Sequence, residues 1–149
     1  MKTPTHVSNR FQFEVRAPLA TTAVLFAPEA ERGWVGKDWN PEFIYPQPAA
    51  DVPGAVFTVQ QGAQKSVWVN TRFDVEGGRM QYVSFVPETL VSTVEVCLTP
   101  LAPSRTGVEV TYSRTALDAS ANERVEALGA SDREKGPHWQ DAIERYLDH

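Results

Sequence analysis

Cysteine is almost missing from this chain of 149 residues: Cys97 stands alone. No intrachain disulfide is therefore available, and its place in a valine-rich segment predicts a reduced, partly buried thiol of a cytosolic protein. Histidine is nearly as scarce. His6, His138 and His149 lie in unrelated places and Cys97 has no neighbouring His or second Cys, so no metal site and no cofactor are expected. No Ser-His-Asp or Cys-His arrangement can be built from these residues. Gly77-Gly78 lies between two strand-like segments and not before a helix, which excludes a phosphate-binding glycine loop. No stretch approaches the roughly 18 uninterrupted apolar residues of a membrane span. The opening Met1-Lys2-Thr3-Pro4-Thr5-His6 lacks the apolar run of a signal peptide, so the expected address is the cytoplasm. Clusters of Lys and Arg are absent too, and the net charge is −5. A nucleic-acid partner, which needs a basic face, is excluded on that ground.

What is present is the pattern of one soluble domain over residues 1–149, with 42% hydrophobic and 22% charged residues. Phe11, Phe13 and Val15 alternate with Gln12, Glu14 and Arg16, a half-buried strand of period two. Leu19 to Glu31 is rich in helix formers, and Pro28 divides it into two short helices. Gly33 to Pro53 is mostly loop, with Phe43-Ile44-Tyr45 as a short strand between prolines. Strands are expected at about Ala55–Gln60, Ser66–Val75, Arg79–Val86, Leu90–Thr99 and Thr106–Thr115, and Gly77-Gly78 is the clearest hairpin signal. Ala121 to Leu128 predicts a short helix. Ser131 with Glu134 reads as a capping box that starts the terminal helix. Pro137 cannot donate to the carbonyl of Arg133, so that helix either kinks at Gly136-Pro137 or restarts with Pro137 at its first position.

Alternation also predicts which faces are inside. Val67, Val69, Thr71, Phe73 and Val75 share one face of their strand, with Trp68, Asn70, Arg72 and Asp74 on the other. The following strands offer Met80, Tyr82, Ser84 and Val86; then Val94, Val96 and Leu98; then Val108, Val110, Tyr112 and Arg114. Trp139, Ala142, Ile143, Tyr146 and Leu147 form a helical stripe at three-and-four spacing that must cover the apolar face.

This order resembles the helix-grip fold of the START/Bet v 1-like superfamily, also called SRPBCC and including polyketide cyclase-like proteins. Trp34-Val35-Gly36-Lys37-Asp38-Trp39-Asn40-Pro41 is similar to the Trp-rich loop of some bacterial members. Thr111-Tyr112-Ser113-Arg114-Thr115-Ala116-Leu117 and the terminal Trp139…Ile143…Tyr146-Leu147 resemble that group's end. The resemblance implies an α+β fold: a curved antiparallel sheet of about seven strands wrapped around a C-terminal helix, with two short helices after the first strand. It implies a cavity between sheet and helix for a small apolar molecule such as a lipid, sterol or polyketide. No catalytic residue set is shared across the superfamily, so none is transferred, and the catalytic residues stay unassigned.

The candidate ligand-binding residues are Trp34, Trp39, Phe57, Thr71, Phe73, Tyr82, Tyr112, Arg114, Trp139 and Ile143. Trp34 and Trp39 serve as a lid or plug the end of the core, and packing is the commoner role of tryptophan. Arg114 either points inward and needs an anion, or has reached the rim and meets water or a surface carboxylate, the second being favoured. Trp68 on a wet face would be costly and offers a homodimer contact. The leading function is binding of a small hydrophobic ligand. The alternatives are an enzyme of cyclase, dehydratase or hydrolase type using Arg114, Tyr82, Tyr112 or His138, and a protein-interaction module.

Overall fold

The computed structural model describes residues 2–148. One antiparallel sheet of seven strands runs β1 (His6–Val15), β7 (Arg105–Ala116), β6 (Leu90–Ala102), β5 (Arg79–Val86), β4 (Gln64–Asp74), β3 (Val56–Gln61) and β2 (Glu42–Tyr45) from edge to edge. The two short helices α1 (Leu19–Ala23) and α2 (Pro28–Glu31) are joined by a single tighter turn, Val24–Phe26. Pro28 heads α2, where its missing N–H costs nothing. The strand count, the short helices and the closing helix match what the resemblance implies.

Alternation decides the inner face wherever a strand is regular. Phe11 and Phe13 on β1 stand opposite Val110 and Val108 on β7, and all four are buried. Met80, Tyr82 and Ser84 on β5 are likewise inside. The β4–β5 turn forms where Gly77-Gly78 places it. Gly78 has φ +67°, and an added Cβ would lie 2.8 Å from the Leu98 carbonyl oxygen, so glycine is required there.

β4 corrects the predicted face. Its register slips between Asn70 and Arg72, with Asn70 opposite Tyr82 and Arg72 opposite Gln81. The extra residue, Thr71, is exposed at the bulge and its hydroxyl donates to the Gln81 carbonyl at 3.1 Å. On one side of it Trp68 and Asn70 face inward, so Val67 and Val69 do not. On the other side Phe73 packs on the core as predicted. A one-residue insertion flips every side chain beyond it, which strict alternation does not anticipate. The inward turn of Trp68 also removes the exposed patch that suggested a homodimer.

The C-terminal segment is two helices, α3 (Asn122–Arg133) and α4 (Lys135–Leu147), separated at Glu134. The chain does restart, but at Lys135, two residues before Pro137. Pro137 therefore falls within the first turn of α4, where N–H groups have no intrahelical partner. Ser131 lies in the last turn of α3 and Glu134 is the break, so neither acts as a capping box. From α4, Ile143 is fully buried and Trp139, Ala142 and Leu147 pack against the sheet core. Tyr146 leaves the predicted stripe: it is 40% exposed, with its ring over Gly33.

Candidate functional site

A cavity of about 280 Å³ lies between the sheet and the helices. Its aromatic wall comes from separate elements: Trp39 from the loop after α2, Phe57 from β3, Trp68 from β4, Tyr82 from β5, Tyr112 from β7 and Trp139 from α4. Trp68 is perpendicular to Trp39 at 5.5 Å and stacked on Phe57 at 5.8 Å. These rings are fixed by local hydrogen bonds. The Tyr82 hydroxyl donates to the Phe26 carbonyl at 2.8 Å, the Trp39 indole to the Pro28 carbonyl at 2.9 Å and the Trp68 indole to Ser66 Oγ at 3.0 Å. Ring donors withdrawn from water need such partners, and the Tyr82 bond ties the turn between α1 and α2 to the sheet.

One polar end of the cavity is cationic. Arg114 points inward and is only 9% exposed, which overturns the reading that placed it in water. Its anion is a side chain of α3. Nε and Nη2 donate to the two carboxylate oxygens of the fully buried Asp132 at 2.7 and 2.8 Å, and Nη1 donates to Ser92 Oγ at 3.1 Å. Lys135 Nζ donates to the same Asp132 at 2.7 Å and sits 4.2 Å from the Tyr112 ring centroid. Arg114 and Lys135 line the cavity, so two cations share one carboxylate there. Burial alone would raise the Asp132 carboxyl, but the hydrogen bonds and charges of Arg114 and Lys135 hold it below its ordinary value. Burial, aided by the Arg114 charge, lowers the Lys135 ammonium despite its bond to Asp132. The Tyr112 hydroxyl is pushed up by burial and by Glu31 and Asp132, against the pull of Arg114.

The cavity wall also carries an acidic group. Glu31, the last residue of α2, lines the cavity, and among the described residues no hydrogen bond or ion pair engages its carboxylate. Burial, and then the negative charge of Asp51, hold this carboxyl well above its ordinary 4.5. The native state therefore binds more protons than the unfolded chain above pH 4.5. Stability should fall as the pH rises from there through the elevated native value. In Glu31→Gln this decline should shrink; urea unfolding of both proteins from pH 4 to pH 8 measures it, and identical pH profiles would contradict it.

The predicted site residues divide cleanly. Trp39, Phe57, Tyr82, Tyr112, Arg114 and Trp139 line one cavity. Trp34 stands behind it, buried, with its indole donating to the Leu25 carbonyl at 2.8 Å and its ring edge-on to Trp139. Ile143 and Phe73 belong to the packed core and Thr71 to the outer surface. His138 is exposed and off the cavity, so it is no acid or base there. His149 lies outside the described residues. Four participants escaped the sequence: Trp68, Glu31, Asp132 and Lys135. The spacing of Asp132 and Lys135 is that of neighbours on a helix, a usable signal, whereas nothing local marks Glu31. Asn70 was also misplaced outward; it is fully buried, and its carboxamide has no partner among the described residues. No cluster of metal-ligating side chains occurs among the described residues.

No family model matches the chain. No curated protein matches it either. Solved structures do. Norcoclaurine synthase from Thalictrum flavum, in complex with dopamine and hydroxybenzaldehyde, superposes with a TM-score of 0.69 at 13% identity, covering 98% of this chain and 89% of that one. Ara h 8.0201 gives 0.69 at 13% identity, covering 97% and 100%. A protein from Thermobifida fusca gives 0.69 at 18% identity, covering 95% and 93%. The chain has the Bet v 1-like helix-grip fold, and at these identities the likeness is one of fold.

Proposed function

We propose that this protein is a receptacle for one small, flat, largely apolar molecule held between the sheet and α4. The observation that carries this reading is the aromatic cavity of about 280 Å³. Ligand pockets run from about 300 to 1,000 Å³ and combine apolar walls with a few placed polar groups. This one lies at the small end, which favours a molecule of one or two rings over a sterol or a long acyl chain. The Thalictrum synthase, whose structure holds dopamine and hydroxybenzaldehyde, supports the same size class.

A second reading, an enzyme acting on such a molecule, is favoured by the Arg114–Asp132–Lys135 cluster, whose two cations could stabilise negative charge developing on a ligand oxygen. Both readings require binding first. Titration with 3-phenylpropanol and with 2-naphthol, followed by native mass spectrometry, tests it. Quenching or a shift of tryptophan emission should saturate with one molecule bound, because Trp39, Trp68 and Trp139 line the cavity. Unchanged emission together with no bound species for either compound would overturn the receptacle.

A further inference from the structure

We propose that Glu31 recognises a cationic amine, so that the cavity selects small arylalkylammonium compounds over neutral and anionic molecules of the same shape. This rests on the receptacle reading and names its ligand class. Glu31 borders the cavity, yet its carboxylate has no protein partner among the described residues. A half-buried carboxylate at an aromatic wall has few donors to meet, and an ammonium group supplies both the opposing charge and three of them.

The groups around Glu31 leave that role open. Glu29, on the same helix, is engaged by Arg32, which also donates to the Pro41 carbonyl. Asp51, from the loop between β2 and β3, adds negative charge. Tyr82 on β5 has committed its hydroxyl proton to the Phe26 carbonyl, and Tyr112 on β7 is a neutral phenol. The cations that reach the cavity are Arg114, Lys135 and Arg124, and the first two are tied to Asp132. Trp39, Trp68 and Tyr82 add ring faces, which attract cations. The charge excess of Arg114 and Lys135 over Asp132 would repel an ammonium and attract an acceptor oxygen. The ligand therefore lies with its amine toward α2 and any carbonyl or phenolic oxygen toward the α3–α4 break.

The proton balance follows. A protonated Glu31 that accepts an ammonium ligand gives its proton to solvent and leaves a carboxylate–ammonium pair, so binding releases up to one proton per ligand. Calorimetry at pH 7 in two buffers of different ionisation enthalpy reads this directly. The probes are 3-phenylpropylammonium, 3-phenylpropanol and 3-phenylpropanoate, with the full chain and Glu31→Gln. The ammonium should bind roughly tenfold more tightly than the alcohol, the scale of a charge-assisted hydrogen bond. Glu31→Gln should abolish that preference, together with any proton release. Equal affinity for ammonium and alcohol, tightest binding of the carboxylate, or a preference that survives in Glu31→Gln would overturn the inference while leaving the receptacle intact. Binding of none of the three would overturn both.

Discussion

Asp132→Ala is expected to destabilise the protein by about 3–5 kcal/mol, the usual consequence of leaving a buried charge without its partner. For a chain of this length that is a fall on the order of 10 °C in Tm. The cause is geometric. Arg114 projects from β7 into the interior, and the two oxygens of Asp132 hold it in a fork while one of them also holds Lys135. Deleting the carboxylate leaves two cations facing an apolar cavity. Denaturant unfolding of the single variant and of Arg114→Met/Asp132→Leu/Lys135→Met separates charge from packing. Apolar replacement of all three partners should recover most of the loss, because a buried ion cluster offsets little more than its own desolvation. A loss below about 1 kcal/mol for Asp132→Ala, the range of solvated surface pairs, would contradict burial of the cluster. The acid limb follows as well. The native Asp132 carboxyl titrates below its ordinary 3.8, so its contribution is complete above that value and is lost as the pH falls toward the native one.

The second large effect is expected at Trp139. Its ring lies edge-on to Phe11 at 5.2 Å, Trp34 at 5.3 Å and Tyr112 at 6.2 Å, joining the sheet, the Trp-rich loop and α4. Trp139→Ala should cost about 3 kcal/mol or more in unfolding free energy. The vacated volume adjoins the cavity, so the variant should take up larger ring systems than the parent protein. Comparing 2-naphthol with pyrene, by native mass spectrometry, reads that change in size selection. Stability near that of the parent protein, or an unchanged size limit, would show that Trp139 does not close the cavity.

How much of this was legible depends on the range of the physics involved. Met80, Tyr82 and Ser84 face inward because their strand is regular, and period two is a property of the local backbone. Gly77-Gly78 marked its hairpin because φ > 0 is a local demand. The candidate site was half legible for the same reason: Phe57, Tyr82 and Tyr112 follow from alternation, whereas Arg114 continues that series but was read as having reached the rim. Trp68 and Thr71 were exchanged, since a bulge depends on the partner strand against which β4 counts its residues. The helix break lay near the proline that announced it, but its position at Glu134 is set by how α3 and α4 each pack on the sheet.

From the sequence by itself came the strands, the divided helices, the apolar stripe of the last helix and the inward series Val108, Val110 and Tyr112, all of them consequences of spacing along one chain. Tertiary structure alone decided that Asp132 meets Arg114, that Trp68 turns inward, and that Glu31 reaches the cavity with no partner among the described residues. Charge pairing and enclosure act through space, and the Arg114–Asp132 contact joins residues 18 positions apart. Whether a carboxylate meets water, a guanidinium or an empty aromatic wall is therefore settled only when the sheet curves and the helices close over it.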